Sequence, residues 1–184
     1  DEPRRVRTGC HNEHCRLMEI TLDQLLASRE VRASFQRELL QKYPGETLVC
    51  LTVVMPGTVK RNSQSLIISQ AALCALIARF GSDLVRLETR DLPTGFEAYL
   101  LTSLSHGDAK RAVCELEDTH PLGRLFDMDV ILPDGTPMSR DAVGLPQRSC
   151  LLCGNPARYC MRNRTHSTEE LLERIDTLVK EYVR

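Results

Sequence analysis

In the stretch Leu125-Phe126-Asp127-Met128-Asp129-Val130-Ile131-Leu132, two carboxylates alternate with large apolar residues. A strand period of two sends Phe126, Met128, Val130 and Leu132 to one face and brings Asp127 and Asp129 together on the other. Aspartate is disfavoured inside strands and two adjacent like charges repel, so the arrangement costs stability unless a cation or donor compensates. Magnesium suits the role, because Mg²⁺ takes one or two carboxylates and completes its octahedron with water and substrate phosphates. The pair therefore points to metal-assisted phosphoryl-type chemistry. The plainer alternative is a solvated edge strand whose aspartates sit in surface ion pairs.

Immediately upstream, His120-Pro121-Leu122-Gly123-Arg124 forms a turn in which Gly123 would let the backbone approach a ligand and Arg124 could grip a phosphate bidentately. His120 could supply acid–base catalysis or simply cap the preceding helix. Further along, Cys150-x2-Cys153-x6-Cys160-x5-His166 offers a Cys₃His ligand set suited to a structural Zn²⁺, with buried free thiols or a Cys150–Cys153 disulfide as the alternatives. From Arg140 to His166 the chain carries Arg140, Arg148, Arg158, Arg162 and Arg164 against the lone acid Asp141, a local imbalance that could serve phosphates or an acidic partner.

These residues must be positioned by a small α+β domain. Thr21 and Gln24 read as a capping box opening one long helix or two short ones up to Pro44-Gly45. Residues 47–55 are β-branched and apolar, as in a central strand buried on both faces. A helix follows over 62–80, with Leu66, Leu73, Ile77 and Phe80 at helical intervals, then strands near 84–90 and 96–103 around the turn Pro93-Thr94-Gly95. Another helix over 106–117 leads into the aspartate strand. The order βαββαβ is that of a ferredoxin-like antiparallel sheet with both helices on one face. Asp134-Gly135 suggests a hairpin into a short strand near 136–140. A Cys-rich loop then precedes a last helix over about 168–183, capped by Ser167 and Glu170.

The 184 residues suffice for one cored domain, expected over 19–184, after a polar, loosely ordered segment over 1–18 that holds Arg4, Arg5, Arg7, Cys10, His11, His14 and Cys15. A net charge of −1 provides no global field for nucleic acid, and 4% aromatic residues without tryptophan disfavour a stacking platform. The apolar run 66–78 is shorter than the roughly 20 residues of a membrane helix. The opening residues lack a signal-like segment, so a soluble, cytoplasmic protein without membrane or nucleic-acid partners is expected.

The run from His120 to Val130 resembles the signature of the holo-citrate lyase synthases, the apo-citrate lyase phosphoribosyl-dephospho-CoA transferases. Pro56-Gly57 with Lys60, Ser139-Arg140, Leu145-Pro146 with Arg148, Cys150-Leu151-Leu152-Cys153, and Ala157, Cys160, Arg162 and His166 extend the resemblance from about residue 20 to the C-terminus. It implies that a serine of the citrate lyase acyl carrier (gamma) subunit attacks the α-phosphorus of 2'-(5''-triphosphoribosyl)-3'-dephospho-CoA, with pyrophosphate leaving. Asp127 and Asp129 would hold Mg²⁺. Gly123, Arg124, Lys60, Arg140, Arg148 and Arg162 would bind the triphosphate-bearing ligand. An aspartate or His120 would accept the serine proton. Malonate decarboxylase holo-synthases use similar chemistry, and a non-enzymatic zinc-stapled binding module is the rival of a different class, though it leaves the aspartate pair unexplained.

Overall fold

The computed structural model describes residues 17–184, so the expectation for the Arg/Cys/His-rich opening falls almost wholly outside the described residues. Helix α1 (Leu22–Lys42) begins with the anticipated capping box. The Gln24 N–H donates to Thr21 Oγ1 at 3.2 Å and the Thr21 N–H to Gln24 Oε1 at 2.9 Å. It runs as one helix, after which Gly45, at φ 99°, turns the chain in a region that disfavours side chains.

Then come β1 (Thr47–Val53), α2 (Ser63–Phe80), β2 (Leu84–Leu92), β3 (Gly95–Thr102), α3 (His106–Thr119) and β4 (Phe126–Ile131). The four strands form one sheet in the order β2-β3-β1-β4, antiparallel at every pairing, the ferredoxin-like α+β arrangement. Thr47 to Leu51 are buried, because β1 lies between two strands and is covered on both faces.

On one face, Val49, Leu51, Ala98, Leu100, Phe126, Met128 and Val130 pack with α2 and α3. Each large apolar side chain fully buried there contributes about 1.5–3 kcal/mol. The other face carries α1, with Leu39 and Phe35 against Leu48, Tyr99, Leu101 and Ile131. Helix α2 is long and apolar enough to cross a membrane by length and composition, yet it buries Ile68, Ala72, Leu76 and Phe80 in this core. Leu66 and Ile77, read as part of the helical spacing, are exposed. A helix apolar on nearly every side does not declare its buried face.

The strand expected at 136–140 reduces to an isolated bridge between Ile131 and Pro137. Pro137 has no N–H with which to extend a ladder. Helix α4 (Ala157–Asn163) lies inside what read as a loop, and α5 (Thr168–Tyr182) follows with its capping box intact, burying Ile175 and Val179 in the core under α2 and α3.

Candidate active site

In the β1–β4 ladder Asp127 lies opposite Thr52 and Asp129 opposite Cys50. Phe126, Met128 and Val130 are buried, whereas Asp127 is exposed and Asp129 half-buried, so the alternation read from the strand is realised. Thr52 Oγ1 donates to Asp127 Oδ2 at 3.2 Å. Burial, and then the neighbouring Asp127 charge, hold the Asp129 carboxyl above the usual carboxylate range. Among the described residues no hydrogen bond reaches the Asp129 carboxylate. Arg148 Nη1 lies 3.9 Å from Asp127 Oδ1, and two adjacent carboxylates with this partial compensation are a donor set that suits a hard divalent cation.

Asp127 opens into a cavity of about 840 Å³. Leu25, Arg29 and Arg32 of α1 form one wall, Thr52 to Pro56 and Lys60 another, and the β2–β3 turn at Thr94 to Phe96 a third. Cys150, Leu151, Cys160, Met161, Arg164 and His166 close it together with the first turn of α5. Among the described residues Asp127 is the lone carboxylate on this lining, with Asp129 two residues along the same strand face.

Of the ligand-binding residues expected from the sequence, Lys60 reaches the cavity. Its Nζ donates to Met55 O at 2.6 Å, and burial followed by repulsion from Arg29 lowers its pKa. The other candidates lie off the cavity lining. Gly123 is buried against the end of α3, where an added Cβ would lie 2.4 Å from Leu116 O, so its small size serves helix packing and not ligand approach. Arg124 donates to the Ser149 carbonyl.

Arg140 and Arg148 work on the free edge of β4. Arg140 pairs with Glu117 at 2.7 Å and Asp118 at 2.9 Å, its own side chain only 11% exposed. Arg148 Nη2 donates to the carbonyls of Gly123, Arg124 and Phe126 at 3.0, 2.7 and 2.6 Å. Glu117 Oε1 in turn accepts from Met128 N–H at 3.0 Å. Side chains thus satisfy an edge that would otherwise invite pairing with another chain. Both arginines are engaged with carboxylates and carbonyls outside the cavity lining, and Arg148 Nη1 lies 3.9 Å from Asp127 Oδ1, beside the aspartate strand.

His120 is not on the cavity lining either. Its Nδ1 accepts from Leu122 N–H at 3.0 Å, and its ring lies 4.8 Å from that of Phe126 and 5.6 Å from that of Tyr182. Burial lowers its pKa, in keeping with a neutral ring acting as an acceptor. The histidine expected to take part in catalysis packs against Phe126 and Tyr182 at the end of α3. Arg162 is exposed on α4 and does not line the cavity.

The ligand atoms of Cys150, Cys153, Cys160 and His166 all lie within 4.8 Å of one another. Cys153 Sγ is 3.5 Å from Cys160 Sγ and 3.4 Å from His166 Nε2, close to the roughly 3.3–3.8 Å edges of a tetrahedral zinc site. Burial raises the Cys150 thiol, but the N–H groups of Leu152 and Cys153 and the neighbouring Cys160 and Cys153 thiols outweigh it and bring it down to about 7. The cluster fits a metal and forms part of the cavity wall.

Sequence reasoning missed Arg29, Arg32 and Thr52 as cavity residues. Arg29 and Arg32 sit in a helix of mixed charge, where nothing marks one arginine above another, and only their i, i+3 spacing put them on one side of it. Thr52 could have been found by pairing the two apolar strands and reading across from Asp127.

The family described as apo-citrate lyase phosphoribosyl-dephospho-CoA transferase matches residues 20–182. A Vibrio cholerae protein named "Probable apo-citrate lyase phosphoribosyl-dephospho-CoA transferase" is 40% identical over 169 residues, 90% of this chain and 94% of its own length. An Escherichia coli protein named as this transferase is 38% identical over 165 residues, covering 88% of this chain and 90% of its own. A Streptococcus pyogenes protein of the same printed name as the Vibrio one is 37% identical over 167 residues, 89% of this chain and 87% of its own. Together with the aspartate strand and the cavity it faces, these matches show that the chain belongs to the apo-citrate lyase phosphoribosyl-dephospho-CoA transferase family.

Proposed function

We propose that this chain is a nucleotidyltransferase-like enzyme that attaches the phosphoribosyl-dephospho-CoA prosthetic group to a serine of the citrate lyase acyl carrier (gamma) subunit. The donor is triphosphoribosyl-dephospho-CoA. The serine Oγ forms a new bond to the α-phosphorus, the bond from that phosphorus to the bridging oxygen breaks, and pyrophosphate leaves with the electron pair. The observation that carries this reading is the Asp127–Asp129 strand beside a cationic cavity. The two aspartates would hold Mg²⁺, which when bound offsets charge on the transferred phosphoryl group and the departing pyrophosphate. Asp127 is the expected acid–base group that lines the cavity, and so receives the serine proton.

Cys150, Cys153, Cys160 and His166 would hold a structural Zn²⁺ that keeps the Cys-rich wall in place. Residues 19–184 act as one domain in this account, since the Glu19–Val59 bridge and buried Ile20 tie the start of the segment to the body. The six described cysteines are free thiols, which suits a reducing cytoplasmic setting.

The test is to combine the protein, Mg²⁺, triphosphoribosyl-dephospho-CoA and apo acyl carrier subunit, and to follow pyrophosphate release and the carrier's mass. The reading expects the carrier to gain the phosphoribosyl-dephospho-CoA mass with one pyrophosphate released per carrier. Transfer to a malonate decarboxylase carrier instead would assign another acceptor, and no transfer to either would contradict the enzyme reading.

A further inference from the structure

We propose that Arg29, Lys60 and Arg164, contributed by three separate segments of the chain, form the grip for the donor's triphosphate chain. The inference deepens the function proposed above and rests on it for the identity of the ligand.

All three side chains line the cavity that Asp127 faces. Arg32, beside them, is already committed, its Nε bonded to Glu97 Oε1 at 2.8 Å. Among the described residues, by contrast, Arg29 and Arg164 have neither an ion pair nor a side-chain hydrogen bond, and the Lys60 ammonium touches only the Met55 carbonyl. Arg29 and Lys60 are near enough to repel each other. Three cations gathered at one cavity, Arg29 and Arg164 exposed and Lys60 half-buried, favour an anion there, as the adjacent aspartates on the strand favour a cation. A triphosphate, with its several negative charges, answers both: its oxygens meet the guanidinium groups and ammonium, while the metal shared with the aspartates meets others.

Arg164 carries a second, independent sign. It is the one non-glycine residue at positive φ among the described residues, with φ 48° and ψ 45° at the C-cap of α4. Glycine or asparagine is the usual choice at such a position, because a Cβ is strained there. An arginine held in that conformation, with its side chain on a cavity wall, is explained by what the side chain binds. The other arginines of the basic segment, Arg140, Arg148, Arg158 and Arg162, are engaged at the β4 edge or exposed outside the cavity.

The test compares Arg29→Gln, Lys60→Met and Arg164→Gly with the parent and with Arg111→Gln, a control at an exposed surface pair. The readouts are KM and kcat for the donor, inhibition by inorganic tripolyphosphate, its shift of the melting temperature, and the melting temperature alone. Each cavity variant should raise KM and the tripolyphosphate inhibition constant at least tenfold while kcat changes less, as loss of uniform binding requires. Arg29→Lys should recover part of the loss. Arg164→Gly should melt no lower than the parent, since glycine relieves the backbone, so weaker binding there cannot be ascribed to a damaged fold. If Arg29→Gln and Arg164→Gly bind tripolyphosphate and donor within twofold of an active parent, the grip is wrong while the transferase reading stands. If the parent binds tripolyphosphate through these residues but transfers nothing, the grip stands and the proposed reaction fails.

Discussion

At Asp129, function and stability pull in opposite directions. Its carboxyl is held above its ordinary value by burial and by Asp127, so the penalty is absent below about pH 4 and grows as pH rises through the ordinary value toward the raised one. Asp129→Asn removes that penalty. The cation-free variant should therefore melt a few degrees above the parent at pH 7 and alongside it at pH 3, and Mg²⁺ should raise the parent's melting temperature but not the variant's. A parent unaffected by Mg²⁺ would contradict the pairing of these carboxylates with a metal. At the β4 edge, Arg140→Ala should cost about 3 kcal/mol in denaturant titrations, because it takes from the buried Glu117 carboxylate its 2.7 Å partner and leaves only Met128 N–H and Arg148 at 3.8 Å. Its loss of activity should follow the fraction unfolded. The two aspartates were legible because a period of two places them on one face whatever surrounds the strand. The placement of Arg140, Arg148 and His120 off the cavity lining was not, because an arginine that faces a cavity and one that grips a carbonyl look identical until the chain is folded.

At the scale of elements, the α3–β4 connection and the cysteine segment hold the site in shape. Gly123→Ala would drive a methyl group into the last turn of α3 and should destabilise by about 1–3 kcal/mol, read from chemical denaturation. A melting curve unchanged by this substitution would refute the close packing. The purified protein should contain one zinc per chain, lost in Cys153→Ser, and removal of zinc should open the 148–166 segment to protease while β1–β4 stay protected. The βαββαβ core was readable because its strands and helices carry caps, turns and apolar runs that act over a few residues. Whether this opening stretch made one helix or two was left open by the sequence, and α1 runs unbroken from Leu22 to Lys42. Helix α4 escaped notice because seven residues among prolines, glycine and cysteines show too little period, and its surroundings, not its propensity, hold it.

For the whole molecule, the site is a meeting of distant segments: α1, the turn after β1, the β2–β3 turn, β4 and the cysteine staple. That convergence explains why the sequence showed the aspartate strand and the Cys₃His set, each contained in a short window, but not the arginines of α1 that line the same cavity. The sheet order puts Asp127 opposite Thr52 at the end of β1 where the cavity begins, and α1 covers the remainder of the same face. The central claim is that this pair of carboxylates drives metal-dependent group transfer. Its most direct measurement is the rate of carrier mass gain at saturating donor and Mg²⁺ for the parent, Asp127→Asn and Asp129→Asn, each first shown to be folded by circular dichroism. The account predicts transfer by the parent and a fall of at least about a hundredfold in both variants, the scale expected when charge stabilisation at the reacting phosphorus is lost. Folded variants that transfer the group at the parent's rate would contradict it.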